Sequence, residues 1–115
     1  MKITILIPTK NRAVWLEKCL ETCLDQDWTD CGLLISDNVS MDHTKEVVSR
    51  FQDRLPITYV NPGQRLGMTE HWEFAIPYAT GEYLCIIGDD DGIVPHGLEE
   101  MKKLLQLHPL APAFV

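Results

Sequence analysis

Four short apolar segments, each followed by turn residues and then by a helical pattern, set the range of folds open to this chain. The first of them, Ile3 to Ile7, is rich in β-branched residues and does not alternate between apolar and polar positions. A run of this kind is typical of a strand that is buried on both faces of a sheet. The other three segments are residues 33–36, 57–60 and 82–87, and we interpret each as a strand. The last leads into an acidic triplet and is expected to be buried.

Apolar residues at helical spacing follow each of these segments and predict amphipathic helices. The stripes are Leu16, Cys19, Leu20, Cys23 and Leu24; Val47, Val48 and Phe51; Met68, Trp72, Ala75 and Ile76; and Leu98, Met101, Leu104 and Leu105. Pro77 is expected to kink or shorten the third helix, because proline lacks an N–H and clashes with the preceding turn. His71, in the same helix, is expected simply to pack.

Strands that alternate with helices predict an α/β fold with an open, mostly parallel sheet, flanking helices and right-handed crossovers. Residues 113–115 are expected to begin a fifth strand. We therefore interpret residues 1–115 as a single domain that is incomplete at its C-terminal end. An unpaired strand at the edge of its sheet would favour self-association into a homo-oligomer.

The composition narrows the classes of function. A net charge of −7 argues against a general role in binding nucleic acid, since such binding depends on Lys and Arg at phosphates. The apolar runs are too short to span a bilayer, and the N-terminal segment lacks the cleavage site of a signal peptide. The four cysteines form no CxxC pair, so we interpret them as reduced thiols of a cytoplasmic protein.

Polar and charged residues collect where three of the predicted strands end. Residues 8–12 (Pro-Thr-Lys-Asn-Arg) follow the first strand, Asp37 and Asn38 follow the second, and residues 89–91 (Asp-Asp-Asp) follow the fourth. Open α/β sheets bind their ligands beyond the carboxyl ends of the strands. The sequence therefore predicts a ligand site at this edge of the sheet.

The acidic triplet Asp89, Asp90 and Asp91 is costly without a counter-ion. Two like charges about 4 Å apart repel by roughly 1 kcal/mol in water and by about 4 kcal/mol at an effective dielectric constant near 20. A divalent cation would remove that cost, and carboxylate oxygens suit Mg²⁺ or Mn²⁺ better than zinc. The alternative is a solvated turn that caps the following helix, with Pro95 in its first turn.

Other sites that bind cations or phosphates do not fit the sequence. An EF-hand loop counted back from Gly92 would begin at Ile87 and place Leu98 where a glutamate is needed. Neither a GxGxxG nor a GxxxxGK[ST] motif is present. A metal held by the triplet could carry phosphates instead. Three cations could add positive charge, namely Lys10, Arg12 and Arg65, and Asp37 could accept a hydrogen bond from a base N–H.

Three sequence segments together resemble the nucleotide-binding half of an inverting, family 2 glycosyltransferase with the GT-A fold. ITILIPTKNR resembles the opening strand and the turn after it, and LLISDNVSMDHT resembles the second strand with its acidic turn. ATGEYLCIIGDDDGIVPHGLEEM resembles the Gly-Glu-Tyr strand, the acidic DxD-type motif, and the proline and helix beyond. The resemblance covers nearly the whole chain, with the segments in the family's order and spacing.

The resemblance implies a binding site for a nucleotide-diphosphate sugar, most simply a UDP-sugar, with Mn²⁺ or Mg²⁺ as cofactor. The nucleotide-binding residues would be Pro8, Thr9, Asn11, Arg12, Asp37, Arg65 and Asp89, with Asp37 on the base. The metal ligands would come from Asp89, Asp90 and Asp91. Gly88 stands where many members carry a first Asp, which leaves open which two carboxylates hold the metal.

The implied reaction is inverting transfer of a sugar to a hydroxyl of a saccharide or lipid-linked acceptor, as in cell-wall or polysaccharide biosynthesis. The catalytic base of the family lies downstream of the acidic motif, and nothing after Leu105 matches it. We therefore expect the fragment alone to be inactive. We expect a cytoplasmic protein, and any association with a membrane would be through regions outside this sequence. A non-catalytic α/β module for interaction or regulation, with the carboxylates as helix caps, is the alternative.

Overall fold

The computed structural model of the protein describes residues 2–107, and the predicted strand at residues 113–115 lies outside this range. Strands and helices alternate along it. The strands are β1 (Ile3–Thr9), β2 (Cys31–Asp37), β3 (Ile57–Val60) and β4 (Tyr83–Ile86). The helices are α1 (Ala13–Cys23), α2 (Thr44–Phe51), α3 (Met68–Ala75) and α4 (Gly97–Leu107), and a 3-10 turn (Ile76–Tyr78) follows α3.

The described strands form one parallel sheet in the order β3-β2-β1-β4. Ile3 lies between Cys31 of β2 and Tyr83 of β4, and Thr9 lies opposite Asp37 where β1 and β2 end. The predicted open, parallel α/β fold is therefore confirmed. Because all the strands run in one direction, their carboxyl ends share one edge of the sheet.

One face of the sheet carries the main apolar core. Side chains of β1 and β2 pack there against α1, α2 and α4, and the predicted stripes of these helices supply buried residues such as Leu16, Val47 and Leu98. Fully burying a side chain of this size contributes about 1.5–3 kcal/mol. This packing fixes the strands, and hence the position of the loops at their carboxyl ends.

The other face has a smaller core made of Leu6, Leu34 and Ala75. The prediction that the fourth strand is buried is wrong on this face, where Leu84 and Ile86 of β4 are each 37% exposed. The physical reason is position, since β4 is an edge strand within residues 2–107 and the small core lies over β1 and β2.

The predicted apolar stripe of α3 is wrong for three of its four residues. Met68 is 74% exposed, Ile76 is 45% exposed and Trp72 is 38% exposed, whereas His71 and Ala75 are buried. The helix docks through this pair because the His71 ring finds a hydrogen-bond partner in β2, the Ser36 hydroxyl, at 2.8 Å. The effect of Pro77 is confirmed, since the α-helix ends at Ala75 and tightens into the 3-10 turn.

Among the residues that the structure describes, no helix combines the length and the apolar character needed to cross a membrane. The four cysteines are free thiols, three of them buried and Cys85 partly buried. Burial raises the pKa of Cys31 and of Cys85, which keeps both thiols protonated.

Candidate nucleotide and metal site

The ends of β1 and β4 meet through a buried hydrogen bond. The Thr9 hydroxyl donates to Oδ2 of Asp89 at 2.8 Å, and both residues are buried. Thr9 also fixes the next strand, because its carbonyl accepts a hydrogen bond from the Asn38 N–H at 2.9 Å. The structure thus brings together three of the strand ends that the sequence predicted to share an edge.

Arg12 lies just before α1 and bridges two carboxylates of the acidic triplet. Its Nε lies 3.3 Å from Oδ1 of Asp89, and its Nη2 lies 3.2 Å from Oδ2 of Asp90. The Arg12 side chain is 45% exposed and that of Asp90 is 52% exposed, whereas that of Asp89 is only 9% exposed. A single guanidinium therefore neutralises part of the repulsion within the triplet, from the solvent side of the site.

The third carboxylate of the triplet has a different role. Oδ2 of Asp91 accepts the Gly88 N–H at 3.1 Å, and the Asp91 N–H donates to the Gly88 carbonyl at 3.1 Å, which closes a tight turn. The lack of a side chain at Gly88 leaves room for this arrangement. A Cβ at Gly88 would lie 2.8 Å from Oδ2 of Asp91 and 3.0 Å from Oδ1 of Asp90, so a larger residue would displace both carboxylates.

Two carboxylates of the triplet could hold a divalent metal together with ligands from outside the protein. Across residues 2–107, no group of three or more His, Cys, Asp or Glu side chains is arranged to hold a metal ion. Mg²⁺ binds through one or two carboxylates together with substrate phosphates and water, so three ligands from the protein are not required. Asp89 and Asp90 already share one cation, the Arg12 guanidinium, and present oxygens of the right chemistry.

Asp37 lies at the end of β2 in a rigid, buried setting and is 2% exposed. Its Oδ2 accepts the Tyr59 hydroxyl at 2.6 Å and its Oδ1 accepts the Ser40 N–H at 2.9 Å. Burial, together with the hydrogen bond to this carboxylate, raises the pKa of Tyr59 to about 12, so the phenol stays a donor. Each carboxylate oxygen retains a second lone pair that could accept a hydrogen bond from an N–H of a nucleotide base.

Asn38 holds the loop between β3 and α3 against the end of β2. Its Nδ2 donates to the Leu66 carbonyl at 2.8 Å, and its Oδ1 accepts the Leu66 N–H at 2.9 Å. This pair of bonds fixes the backbone next to Arg65. Within residues 2–107, however, no hydrogen bond or ion pair joins Arg65 itself to the acidic triplet or to Asp37, so the structure does not bring this predicted residue into the cluster.

Asn11 ties together the loops that follow β1 and β2. It has φ +54°, a left-handed conformation that asparagine tolerates, and its Oδ1 accepts the Met41 N–H at 2.6 Å. Its own N–H donates to the Ser40 hydroxyl at 2.8 Å. These contacts of Asn11 with Met41 and Ser40 shape the edge of the site. Another predicted residue, Pro8, is half-buried in β1.

Asp42 links the starts of α1 and α2 behind the site. One of its oxygens accepts the Ala13 N–H at 3.0 Å, and the other accepts the Thr44 N–H at 3.1 Å. Burial opposes its ionisation, but the hydrogen bonds from Thr44 and Ala13 outweigh burial and lower the pKa of Asp42. A charged carboxylate at two helix N-termini is favourable, so Asp42 holds the helix that begins beside Arg12.

Comparison with known proteins identifies the family. Residues 4–113 match the family model "Glycosyl transferase family 2". The chain belongs to this family. It is 31% identical over 105 residues to GalNAc(5)-diNAcBac-PP-undecaprenol beta-1,3-glucosyltransferase from Campylobacter jejuni, a match that covers 89% of this chain and 34% of that protein. It is also 31% identical over 109 residues to abequosyltransferase RfbV from Salmonella typhimurium, covering 91% and 33% of the two chains.

Solved structures give the same fold. TarS from S. aureus in complex with UDP superposes with a TM-score of 0.88 at 22% identity, over 95% of this chain and 33% of that one. The mannosyltransferase PcManGT from Pyrobaculum calidifontis, in complex with GDP-Man and Mn²⁺, has a TM-score of 0.80 at 27% identity, over 96% and 33% of the two chains. The GT-A fold is therefore confirmed, and the chain spans about a third of the length of these relatives.

Within this family 2 domain, the loop that carries the triplet is clamped by two polar residues of α1 and its C-terminal extension. The Thr22 hydroxyl accepts the Ile93 N–H at 3.0 Å. The Gln26 side chain donates to the Val94 carbonyl at 2.9 Å and accepts the Leu98 N–H at 3.0 Å. Sequence reasoning missed both residues, and the only signal for Gln26 is a polar residue shortly after an apolar stripe.

The same contacts bear on the alternative that the acidic triplet is a helix cap. The first-turn N–H of Leu98 in α4 is capped by Gln26, which is itself buried. The triplet carboxylates bond instead to Thr9, Arg12 and the Gly88 N–H. Within residues 2–107, the carboxylates of the triplet therefore do not cap the first turn of α4.

Proposed function

We propose that this chain is the donor-binding part of a glycosyltransferase that takes a nucleotide-diphosphate sugar, in the first place a UDP-sugar, together with Mn²⁺ or Mg²⁺. The observation that carries the proposal is the cluster at the carboxyl ends of three neighbouring strands, where Asp89 contacts both Thr9 and Arg12 and Asp37 lies on the next strand. The proposal is supported by the name of a sequence relative and by the solved structures of TarS with UDP and of PcManGT with GDP-Man and Mn²⁺.

The residues of the cluster would divide the donor between them. Asp37, held by Tyr59, would accept a base N–H, and Asp89, fixed by Thr9, would hold the metal with Asp90. When bound, the metal would stabilise the negative charge that develops on the diphosphate leaving group. The sugar would pass with inversion to a hydroxyl of a saccharide or lipid-linked acceptor. We assign no catalytic base within this chain and expect it to bind donor without transferring sugar.

Calorimetric titration of UDP with and without Mn²⁺ tests this proposal. We expect binding to the wild-type chain that requires Mn²⁺, and a loss of at least about tenfold in affinity for Asp90→Ala, because a ligand to the ion is removed. Asp53→Ala is the matched control, since it removes the same charge from an exposed loop residue. UDP binding that ignores Mn²⁺, or an Asp90→Ala variant that binds as wild type does, would contradict the proposal.

The alternative hypothesis, a non-catalytic module for interaction or regulation, predicts a different result for the same variants. In that case the triplet substitutions would change stability or the binding of a protein partner, and nucleotide would have no effect. The cytoplasmic location, the membrane association and the homo-oligomeric state that we expect from the sequence stay predictions.

A further inference from the structure

The contact between Arg12 and the acidic triplet suggests a role beyond donor binding. The guanidinium lies within 3.3 Å of Oδ1 of Asp89 and within 3.2 Å of Oδ2 of Asp90, two oxygens that could also hold a divalent ion. The other oxygen of Asp89 is already engaged by the Thr9 hydroxyl. A metal that binds Asp89 and Asp90 through these oxygens must therefore compete with Arg12.

We propose that Arg12 is the resident counter-cation of the metal-free site and gives way to the divalent ion when the metal and a diphosphate arrive together. The planar guanidinium can contact two carboxylates at once, which a lysine ammonium does less well. The Arg12 guanidinium is also able to move away from Asp89 and Asp90, because the side chain is 45% exposed. Arg12 immediately precedes α1 and lies outside the apolar core.

The displaced guanidinium has a second use. A diphosphate held on a metal at Asp89 and Asp90 would place its anionic oxygens beside Arg12, and arginine binds phosphate in the same forked geometry as carboxylate. The diphosphate thus provides a new partner for the cation that the metal displaces. The consequence is a positive coupling between metal and nucleotide, in which each ligand raises the affinity for the other by the same factor.

The acidic loop is built to keep its shape during such an exchange. Thr22 and Gln26 hold the backbone at residues 93, 94 and 98, and Asp91 closes the turn onto Gly88. None of these contacts involves Arg12. Removal of the guanidinium is therefore expected to free the oxygens of Asp89 and Asp90 without dismantling the loop.

The experiment measures Mn²⁺ binding without nucleotide, by the loss of the electron paramagnetic resonance signal of the free ion. We expect Arg12→Gln to bind Mn²⁺ about threefold to tenfold more tightly than wild type, the range of a half-exposed ion pair. Arg50→Gln is the control for net charge, because Arg50 pairs with Glu17, away from the triplet. An Arg12→Gln affinity that equals or falls below that of wild type overturns the proposal, as does a failure of both proteins to bind Mn²⁺.

A second variant and a second titration keep the test decisive. Arg12→Lys retains the charge but loses the fork, so its affinity for Mn²⁺ should lie between those of wild type and Arg12→Gln, and an affinity equal to that of wild type counts against the proposal. The coupling between Mn²⁺ and UDP should also be smaller in Arg12→Gln. That titration rests on the proposed function, whereas the Mn²⁺ measurement does not. If no variant binds UDP but Arg12→Gln gains Mn²⁺ affinity, the proposed function fails, whereas the role of Arg12 as counter-cation of the metal-free site stands.

Discussion

Asp37 and Asp90 are both carboxylates at the end of a strand, yet they have opposite settings. Asp37 is 2% exposed and each of its oxygens accepts a hydrogen bond from within the fold, from Tyr59 and from Ser40. The side chain of Asp90 is 52% exposed and is held by one half-exposed arginine. The end of the site near β2 is thus held rigidly by the fold, whereas in our proposal the end near β4 has a partner that it can exchange.

This contrast has a physical logic for a donor that is part base and part metal diphosphate. Recognition of a base needs acceptors whose direction is fixed before binding, because a loose carboxylate would lose entropy on contact. A metal site must open to admit an ion and its phosphate ligands, so a tightly bound internal cation would compete too strongly. Arg12 at the solvent side of Asp89 and Asp90 meets the second need.

The largest effect is expected from Tyr59→Phe, which tests whether the end near Asp37 is preorganised. The change removes the donor to Oδ2 of a buried carboxylate, so the free energy of unfolding should fall by about 1.5–3 kcal/mol, the range for hydrogen bonds to charged groups. Urea unfolding measures this loss, and UDP affinity should fall with it. Tyr78→Phe is the control, because Tyr78 is about half-exposed at 49%. Equal stability of the two variants would remove the basis for calling this end of the site rigid.

A smaller loss of stability is expected from Gln26→Leu, which tests whether the exchangeable end depends on a fixed loop. The leucine fills a similar volume but leaves the Val94 carbonyl and the Leu98 N–H without their partner. We expect the free energy of unfolding to fall by about 1–2 kcal/mol and Mn²⁺ affinity to fall as the acidic loop loosens. Gln52→Leu, at an exposed position after α2, is the matched control. A variant that loses stability but keeps full Mn²⁺ affinity would show that the loop does not need this clamp.

The contacts at the Asp37 end of the site and at the acidic-triplet end differ in how far they can be predicted from the sequence. The strands, the stripes of α1 and α2 and most of the stripe of α4 follow from local periodicity, because a segment buried between a sheet and its helices must be apolar at fixed spacings. Leu104 of α4 is the exception, since it is 45% exposed. The meeting of Thr9, Asp37 and Asp89 at one edge follows from the parallel α/β pattern. These features need only the order of the elements along the chain.

The features that sequence missed depend on pairings across long separations. Tyr59 reaches Asp37 because Tyr59 lies opposite Ile35 in the sheet, a register that the two short apolar runs do not specify. Gln26 contacts residues 94 and 98, which are distant in sequence and close only after α4 has docked. The stripe of α3 failed for a related reason, since a polar residue, His71, became buried once Ser36 offered a hydrogen bond.

The smallest effect is expected from His71, and it tests the rigid end of the site through pH. Burial lowers the pKa of His71 below its usual value of 6.5, so the unfolded chain binds the proton more readily than the folded one. This contribution to stability is therefore complete above the unfolded pKa and is lost as the pH falls from about 6.5 toward the lower pKa of the folded state.

Thermal unfolding at pH 7.5 and pH 5 measures the effect of His71. His71→Asn should narrow the stability difference between the two pH values by up to about 1 kcal/mol, because asparagine does not titrate. His43→Asn, at an exposed position before α2, is the control variant. Asp42 does not affect the comparison, because the hydrogen bonds from Thr44 and Ala13 lower its pKa and it titrates only in more acid solution. An unchanged pH dependence in His71→Asn would mean that His71 is not kept from water in the folded chain, and hence that α3 opens easily. The end of β2 that carries Asp37 would then be less rigid than its hydrogen bonds indicate.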